Sequence, residues 1–190
     1  MERREFLRQL AYATGGLWLS GQVDRTVWAE TLLSLDQAKT VLWGPNIRWT
    51  PVTVELTDEQ QKAIRRASGV RVTRSTIRAW RTPEGGWLIA DSVIGKHENI
   101  DLAVALEANG TVRGLEILSY RETYGDEVRN PKWRAQFHGK GAGDAMELER
   151  PIKNISGATL SCSHITDGVR RLAHTWDLVL RHLPMPAGAP

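Results

Sequence analysis

With 190 residues, a quarter of them charged and about two-fifths apolar, the chain has the length and composition of one ordinary globular domain with a proper core. Its net charge of +3 is a slight excess rather than a basic patch, so nucleic acid is not implied. The single cysteine, Cys162, excludes an internal disulfide, and eight tryptophans point to a large aromatic packing area.

The N-terminus reads as an export signal. Arg3-Arg4-Glu5-Phe6-Leu7-Arg8 resembles the twin-arginine pattern of two arginines followed by a spacer, Phe, Leu and a basic residue. A modest apolar run from Leu10 to Leu19 follows, and Val27-Trp28-Ala29 offers a small-x-small cleavage site. The run is too short and too glycine-rich to span a bilayer comfortably. Residues 1–29 are therefore expected to direct the protein to the periplasm or another extracytoplasmic space, with an uncleaved segment acting as an anchor as the alternative.

Next comes a first helix over residues 34–43, with Ser34 as N-cap, Leu35, Ala38 and Leu42 on one face, and Trp43-Gly44-Pro45 as its end. Thr57-Asp58-Glu59-Gln60 is a capping box, and the helix it opens runs to Ser68 before Gly69 stops it. The period then changes. Val70–Trp80, Gly86–Ile94, Ile100–Leu106 and Val112–Leu118 carry branched and aromatic residues between turn signals, and Asn109-Gly110 predicts a type I′ hairpin. A last helix is predicted from Ser161 to His182, with Ile165, Val169, Leu172, Trp176, Val179 and Leu183 along one face. Together these elements predict an α+β fold: an antiparallel sheet of four or more strands flanked by helices. The expected organisation is a helical N-terminal segment over residues 30–68, the main domain over 69–183, and a disordered proline-rich tail over 184–190.

Just ahead of the last helix stands Ile155-Ser156-Gly157-Ala158-Thr159-Leu160-Ser161. Glycine lets a backbone approach a ligand closely, and the N–H groups at a helix start attract phosphate. Small and polar, the stretch reads as an anion cradle with Thr159 and Ser161 facing the phosphate. Lys140, in Gly139-Lys140-Gly141-Ala142-Gly143, could help neutralise it, although that loop lacks the spacing of an NTPase loop. Ser161, His164 and Asp167 drift around one helix and have no oxyanion site, so they do not make a triad. His97 reads as a surface residue, His174 and His182 as no haem site, and Cys162 as a passive small residue. Neither a catalytic group nor a metal ligand is expected.

The Ser-Gly-Ala-Thr stretch, Glu122-Thr123-Tyr124-Gly125, and Trp133-Arg134-Ala135-Gln136-Phe137-His138-Gly139-Lys140 occur in an order and spacing similar to those of the FMN-binding domain family. That family includes the C subunit of the sodium-pumping NADH:quinone reductase and the G subunit of the Rnf complex. The resemblance covers residues 70–180. It implies FMN attached through its phosphate to Thr159 by a separate flavin transferase that uses FAD. Ser156, Gly157, Ala158, Leu160 and Ser161 would surround that phosphate, and Glu122 and Thr123 would stand in a turn beside the flavin ring. Two positions depart from the family pattern. Lys153 stands where an aspartate is usual, and Tyr124 replaces a proline. Trp133 and Phe137 either stack on the ring or belong to the core. The function so implied is an exported electron carrier with membrane or periplasmic redox partners. The alternatives are an exported binding or assembly module without covalent flavin, and a reductase using non-covalent FMN.

Overall fold

The computed structural model describes residues 30–184. The export signal and all but the first residue of the expected tail lie outside the described residues.

The elements follow one another as β1 (Glu30–Thr31), α1 (Leu35–Trp43), β2 (Thr50–Glu55), α2 (Asp58–Ser68), β3 (Thr76–Arg81), β4 (Trp87–Ile94), β5 (Asn99–Leu106) and β6 (Val112–Tyr120). A 3-10 turn at Asp126–Arg129, the short α3 (Pro131–Arg134) and a 3-10 turn at Ala135–Phe137 come next. The chain closes with β7 (Glu147–Leu148), β8 (Pro151–Ile152), α4 (Thr159–Leu178) and a 3-10 turn at Leu180–His182. Strands β1 to β6 form one antiparallel sheet in the order β1-β6-β5-β4-β3-β2, and β7 and β8 form a small separate pair. The fold is α+β, as the strand and helix patterns predict.

The two faces of the sheet are covered differently. Ile89, Ile100, Leu102, Val104, Leu115 and Ile117 face α4, whose Ile165, Val169, Leu172 and Trp176 are buried in the same core. Helix α2 packs against α4 and adds Ile64. On the reverse face α1 lies over β5 and β6, and Ala38 packs with Leu88, Ala103 and Ala105. Small residues on β5 let α1 approach the sheet closely. Three tryptophans, Trp43, Trp49 and Trp80, surround this second cluster.

Local chemistry accounts for the helix starts. Both Ser34 and Thr57 accept from the N–H three residues on, while Gln37 and Gln60 reach back to the cap N–H. Gly69 then ends α2 in the left-handed conformation (φ +71°).

Several expectations need correction. Residues 30–68 are not a helical segment apart from the domain, because they supply both edge strands, β1 and β2, of the single sheet. Strand β2 alternates between half-buried and exposed residues, and it tolerates Pro51 because an edge strand has one unpaired side. Strand β3 begins at Thr76 rather than Val70. Its partner β2 ends at Glu55, opposite Thr76, so residues 70–75 lie beyond the end of that edge strand. The 107–111 hairpin is not type I′. Gly110 N–H donates to Glu107 O (2.9 Å) and Glu107 N–H to Thr111 O (2.8 Å), which makes a three-residue loop with only Gly110 at positive φ (+85°). Asn109 instead uses its carbonyl to accept from Thr111 N–H and hydroxyl. Finally, α4 starts two residues earlier than predicted and breaks at Val179 (φ −132°, ψ −62°), where the chain tightens into the last 3-10 turn.

One irregularity aims the end of β6. Asp101 pairs with Ser119 but Leu102 pairs with Ile117, so Leu118 is an extra residue in the ladder. Because of this bulge, Ile117 and Tyr120, an odd number of positions apart, both join the core under α4.

Candidate functional site

At one end of the sheet, the β4–β5 turn, the chain after β6 and the N-terminus of α4 converge on a cleft of about 790 Å³. One wall is Lys96 and His97, another is Glu122 to Glu127, and the third is Gly157 to Ser161.

The third wall is a tight turn opening a helix. Ala158 N–H donates to Ile155 O (3.0 Å), and Gly157 holds φ +88°, the positive value the third residue of a type II turn requires. Helix α4 then starts with no side-chain cap and no acidic residue in its first turn. Its first helical bond is from Cys162 N–H to Ala158 O (2.9 Å), so the N–H groups of Thr159, Leu160 and Ser161 have no acceptor within the helix. Such a terminus favours an anion through both its donors and the helix dipole. Thr159 is exposed as the first residue of α4, not on a preceding loop, and its hydroxyl accepts from Asn154 Nδ2 (3.0 Å).

Below this wall, Tyr120 ties β6 to α4. Its hydroxyl donates to Tyr124 O (2.6 Å) and lies 3.2 Å from Ser161 Oγ. Burial, together with the charges of Glu122, Asp126 and Glu127, raises its pKa against the lowering effect of the Ser161 bond. Ser161 therefore lines the cleft with its hydroxyl held by Tyr120.

Glu122 shapes the opposite wall. Its carboxylate accepts from the N–H groups of His97 (2.5 Å) and Glu98 (2.9 Å), and so holds the β4–β5 turn against the cleft. Burial opposes its ionisation, but the backbone N–H groups of Glu98, His97 and Lys96 and the adjacent His97 overcome that, and its pKa is lowered. Lys96 and His97 are thereby part of the site, where the sequence suggests only a surface histidine.

Gly157, Ala158, Thr159, Leu160, Ser161, Glu122 and Thr123 all line this cleft, while Ser156 is exposed in the turn just before it. Lys140 is elsewhere. Its carbonyl accepts from Val112 N–H at the start of β6, whereas the cleft lies beyond the other end of that nine-residue strand. Trp133 and Phe137 are core, not cleft: they are buried and meet edge to face at 5.4 Å. Trp133 Nε1 donates to Lys153 O (2.7 Å) and Gln136 Oε1 accepts from Lys153 N–H (2.8 Å), so this segment clamps the chain three residues before Ser156. Cys162 is fully buried and burial pushes its thiol pKa up, which makes it unreactive. His164 turns to Gly95 O (3.2 Å) and makes no triad with Ser161. No local pattern marks Tyr120, whose place depends on the bulge at Leu118, nor Asn154.

Residues 95–174 match the model of the FMN-binding domain family. That match supports an FMN-binding domain over these residues, with FMN as the cofactor such a domain takes. The match spans β5, β6, the Glu122 turn and most of α4, and it contains the whole cleft. No curated protein matches the chain.

The cleft fits that cofactor. The uncapped first turn of α4 offers free N–H groups and a threonine hydroxyl to a phosphate, while Tyr124 and Leu160, 82% and 47% exposed, offer apolar surface at the rim.

Proposed function

We propose that this protein is an exported electron carrier whose FMN is esterified through its phosphate to Thr159. The observation that carries this reading is the exposed Thr159 hydroxyl, standing among N–H groups that have no acceptor within the helix, at the mouth of the cleft. Attachment would be made by a flavin transferase using FAD. Thr159 Oγ bonds to the FMN phosphorus, the bond between the two phosphates breaks, AMP leaves, and the threonine proton is lost.

Once bound, FMN supplies the redox chemistry, accepting and passing one or two electrons. The chain's own residues hold it. Thr159, Leu160 and Ser161 N–H groups take the phosphate, Ser156 and Gly157 form the turn that exposes them, and Tyr120 fixes the first turn through Ser161. Glu122 and Thr123 position the wall facing the ring. A carrier needs no acid–base pair, and its partners are membrane or periplasmic redox proteins. The twin-arginine-like sequence at Arg3-Arg4 supports a periplasmic or other extracytoplasmic location, with the N-terminal segment as signal or anchor.

One observation favours a second reading. Lys153 replaces the family's usual aspartate and its side chain is exposed, so it alters the charge presented ahead of the motif. On that reading the domain holds FMN non-covalently or serves as a binding module.

The deciding experiment is intact mass, under denaturing conditions, of the protein purified from its own periplasm. A gain of FMN less one water, mapped to the peptide containing Thr159 and lost in Thr159→Ala, is expected. An unmodified mass in the presence of a competent transferase overturns the covalent reading. The same spectrum gives the mature N-terminus.

A further inference from the structure

Behind the flavin cleft, on the α1 side of the sheet, lies a second cleft of about 530 Å³. Its floor is a row of polar residues across three strands, in a face otherwise covered by Leu88, Ala103 and Ala105. Ser92 of β4 pairs with Asp101 of β5, and Asp101 pairs with Ser119 of β6. Ser92 and Ser119 are only 9% and 5% exposed, and neither hydroxyl has a hydrogen-bond partner among the described residues. Buried hydroxyls are normally satisfied, because leaving one without a partner forfeits its solvation. Two of them in one cleft point to a ligand that completes them.

The charges around the row are lopsided. Asp101 is paired with Arg121 (2.9 Å), and the carboxylate of Asp91, which also lines the cleft, is taken by Arg171 of α4. Arg74 and Arg78, on the β3 side, are exposed and form no ion pair among the described residues. The cleft is left with two uncompensated positive charges, Arg74 and Arg78, both on the Ser92 side, and arginines can take a carboxylate bidentately. The two serines lie two interstrand spacings apart, roughly 10 Å, which is too far for one carboxylate to reach both. Leu33, Leu35 and Leu118 add apolar wall.

We propose that this cleft binds a small linear dicarboxylic acid, one carboxylate at Ser92 with Arg74 and Arg78, the other at Ser119 with Arg121, and the methylene chain against the leucines. The two unpaired arginines match the total charge of a dianion, and the separation of the two serines calls for a linear one whose second carboxylate shares Arg121 with Asp101. The site is independent of the flavin reading, although it shares the end of β6 with it: Ser119 and Arg121 serve this cleft, and Tyr120 and Glu122 the other.

The test is amide NMR of the full chain, titrated with glutarate and adipate, with hexanoate and chloride at matched ionic strength as controls. Saturable shifts at the Ser92, Asp101 and Ser119 amides, with hexanoate at least tenfold weaker, are expected. No saturable shift, hexanoate binding as tightly as the diacids, or shifts confined to residues 156–161 overturns the proposal. Arg78→Gln, an exposed change, is expected to weaken adipate at least tenfold. The Ser92→Ala, Ser119→Ala double variant is expected to melt no lower than the parent, since it removes two unsatisfied hydroxyls, while losing adipate binding. Wild-type affinity in either variant also overturns the proposal.

Discussion

The Tyr120 hydroxyl lies 3.2 Å from Ser161 Oγ and donates its one proton to Tyr124 O at 2.6 Å, so Ser161 donates to it. This pair joins the last residue of the sheet's β6 to the first turn of α4 and also fixes the turn beside the flavin cleft. Two of the three walls of the site thus meet at one phenol.

Tyr120→Phe leaves Tyr124 O and the Ser161 hydroxyl without that partner, and it is expected to cost about 1–3 kcal/mol, read as a lower urea midpoint. The alkaline limb changes too. Because the folded pKa of Tyr120 is raised above its ordinary value of 10.0, the stability it contributes is complete below pH 10 and lost as pH rises through the folded pKa. In Tyr120→Phe that part of the alkaline loss is expected to vanish; an unchanged alkaline limb would show that Tyr120 does not titrate in the unfolding transition.

Glu122 gives the opposite sign. Its pKa is lowered from 4.5, so its contribution is present above that value and lost as pH falls through the folded pKa. Glu122→Gln is expected to be less stable at neutral pH and to lose less stability on acidification than the parent. Urea midpoints across the acidic range, compared for the two proteins, check this. Hydrogen exchange at His97 and Glu98 N–H is expected to quicken, because their acceptor weakens.

Trp133→Phe keeps an aromatic ring against Phe137 but removes the donor to Lys153 O. We expect a loss of about 1–3 kcal/mol, most of it from the unpartnered carbonyl and the smaller ring. If the clamp positions the Ser156–Thr159 turn, amide shifts at Gly157 and Thr159 will move in this variant. Shifts confined to the core around Phe137 would show that the turn holds itself.

Arg171 and Asp91 form an ion pair between α4 and β4, with side chains 5% and 10% exposed. Removing one partner strands a buried charge, so Asp91→Ala is expected to cost about 3–5 kcal/mol. The double change Asp91→Leu with Arg171→Met is expected to recover most of that loss, since a buried pair offsets little more than its own desolvation. A double-mutant cycle by chemical denaturation measures both.

Much of this protein is legible in its order of residues. Ser34, Thr57 and Gln60 announce their helices because a cap is a contact within four residues, and the apolar period of residues 165–176 predicts the buried face of α4. The Ser156–Ser161 stretch stands out for the same local reason: a glycine turn feeding a helix needs no distant partner. What runs between distant segments was decided only in three dimensions. The strand at Thr50–Glu55 takes its place from pairing with β3, not from its own composition. The extra residue at Leu118 turns Tyr120 toward α4, and no local pattern marks that register shift. The sequence offers Lys140 as a cation to neutralise the phosphate, yet its backbone bond to Val112 anchors it at the far end of β6. Glu122 shows the division most plainly: its position in a turn was visible from the sequence, but the two N–H groups that hold its charge come from residues 24 and 25 positions away, brought there by the β4–β5 hairpin. Local hydrogen bonds and periodicity belong to the sequence; register, bulges and long-range acceptors arise when the sheet closes against its helices.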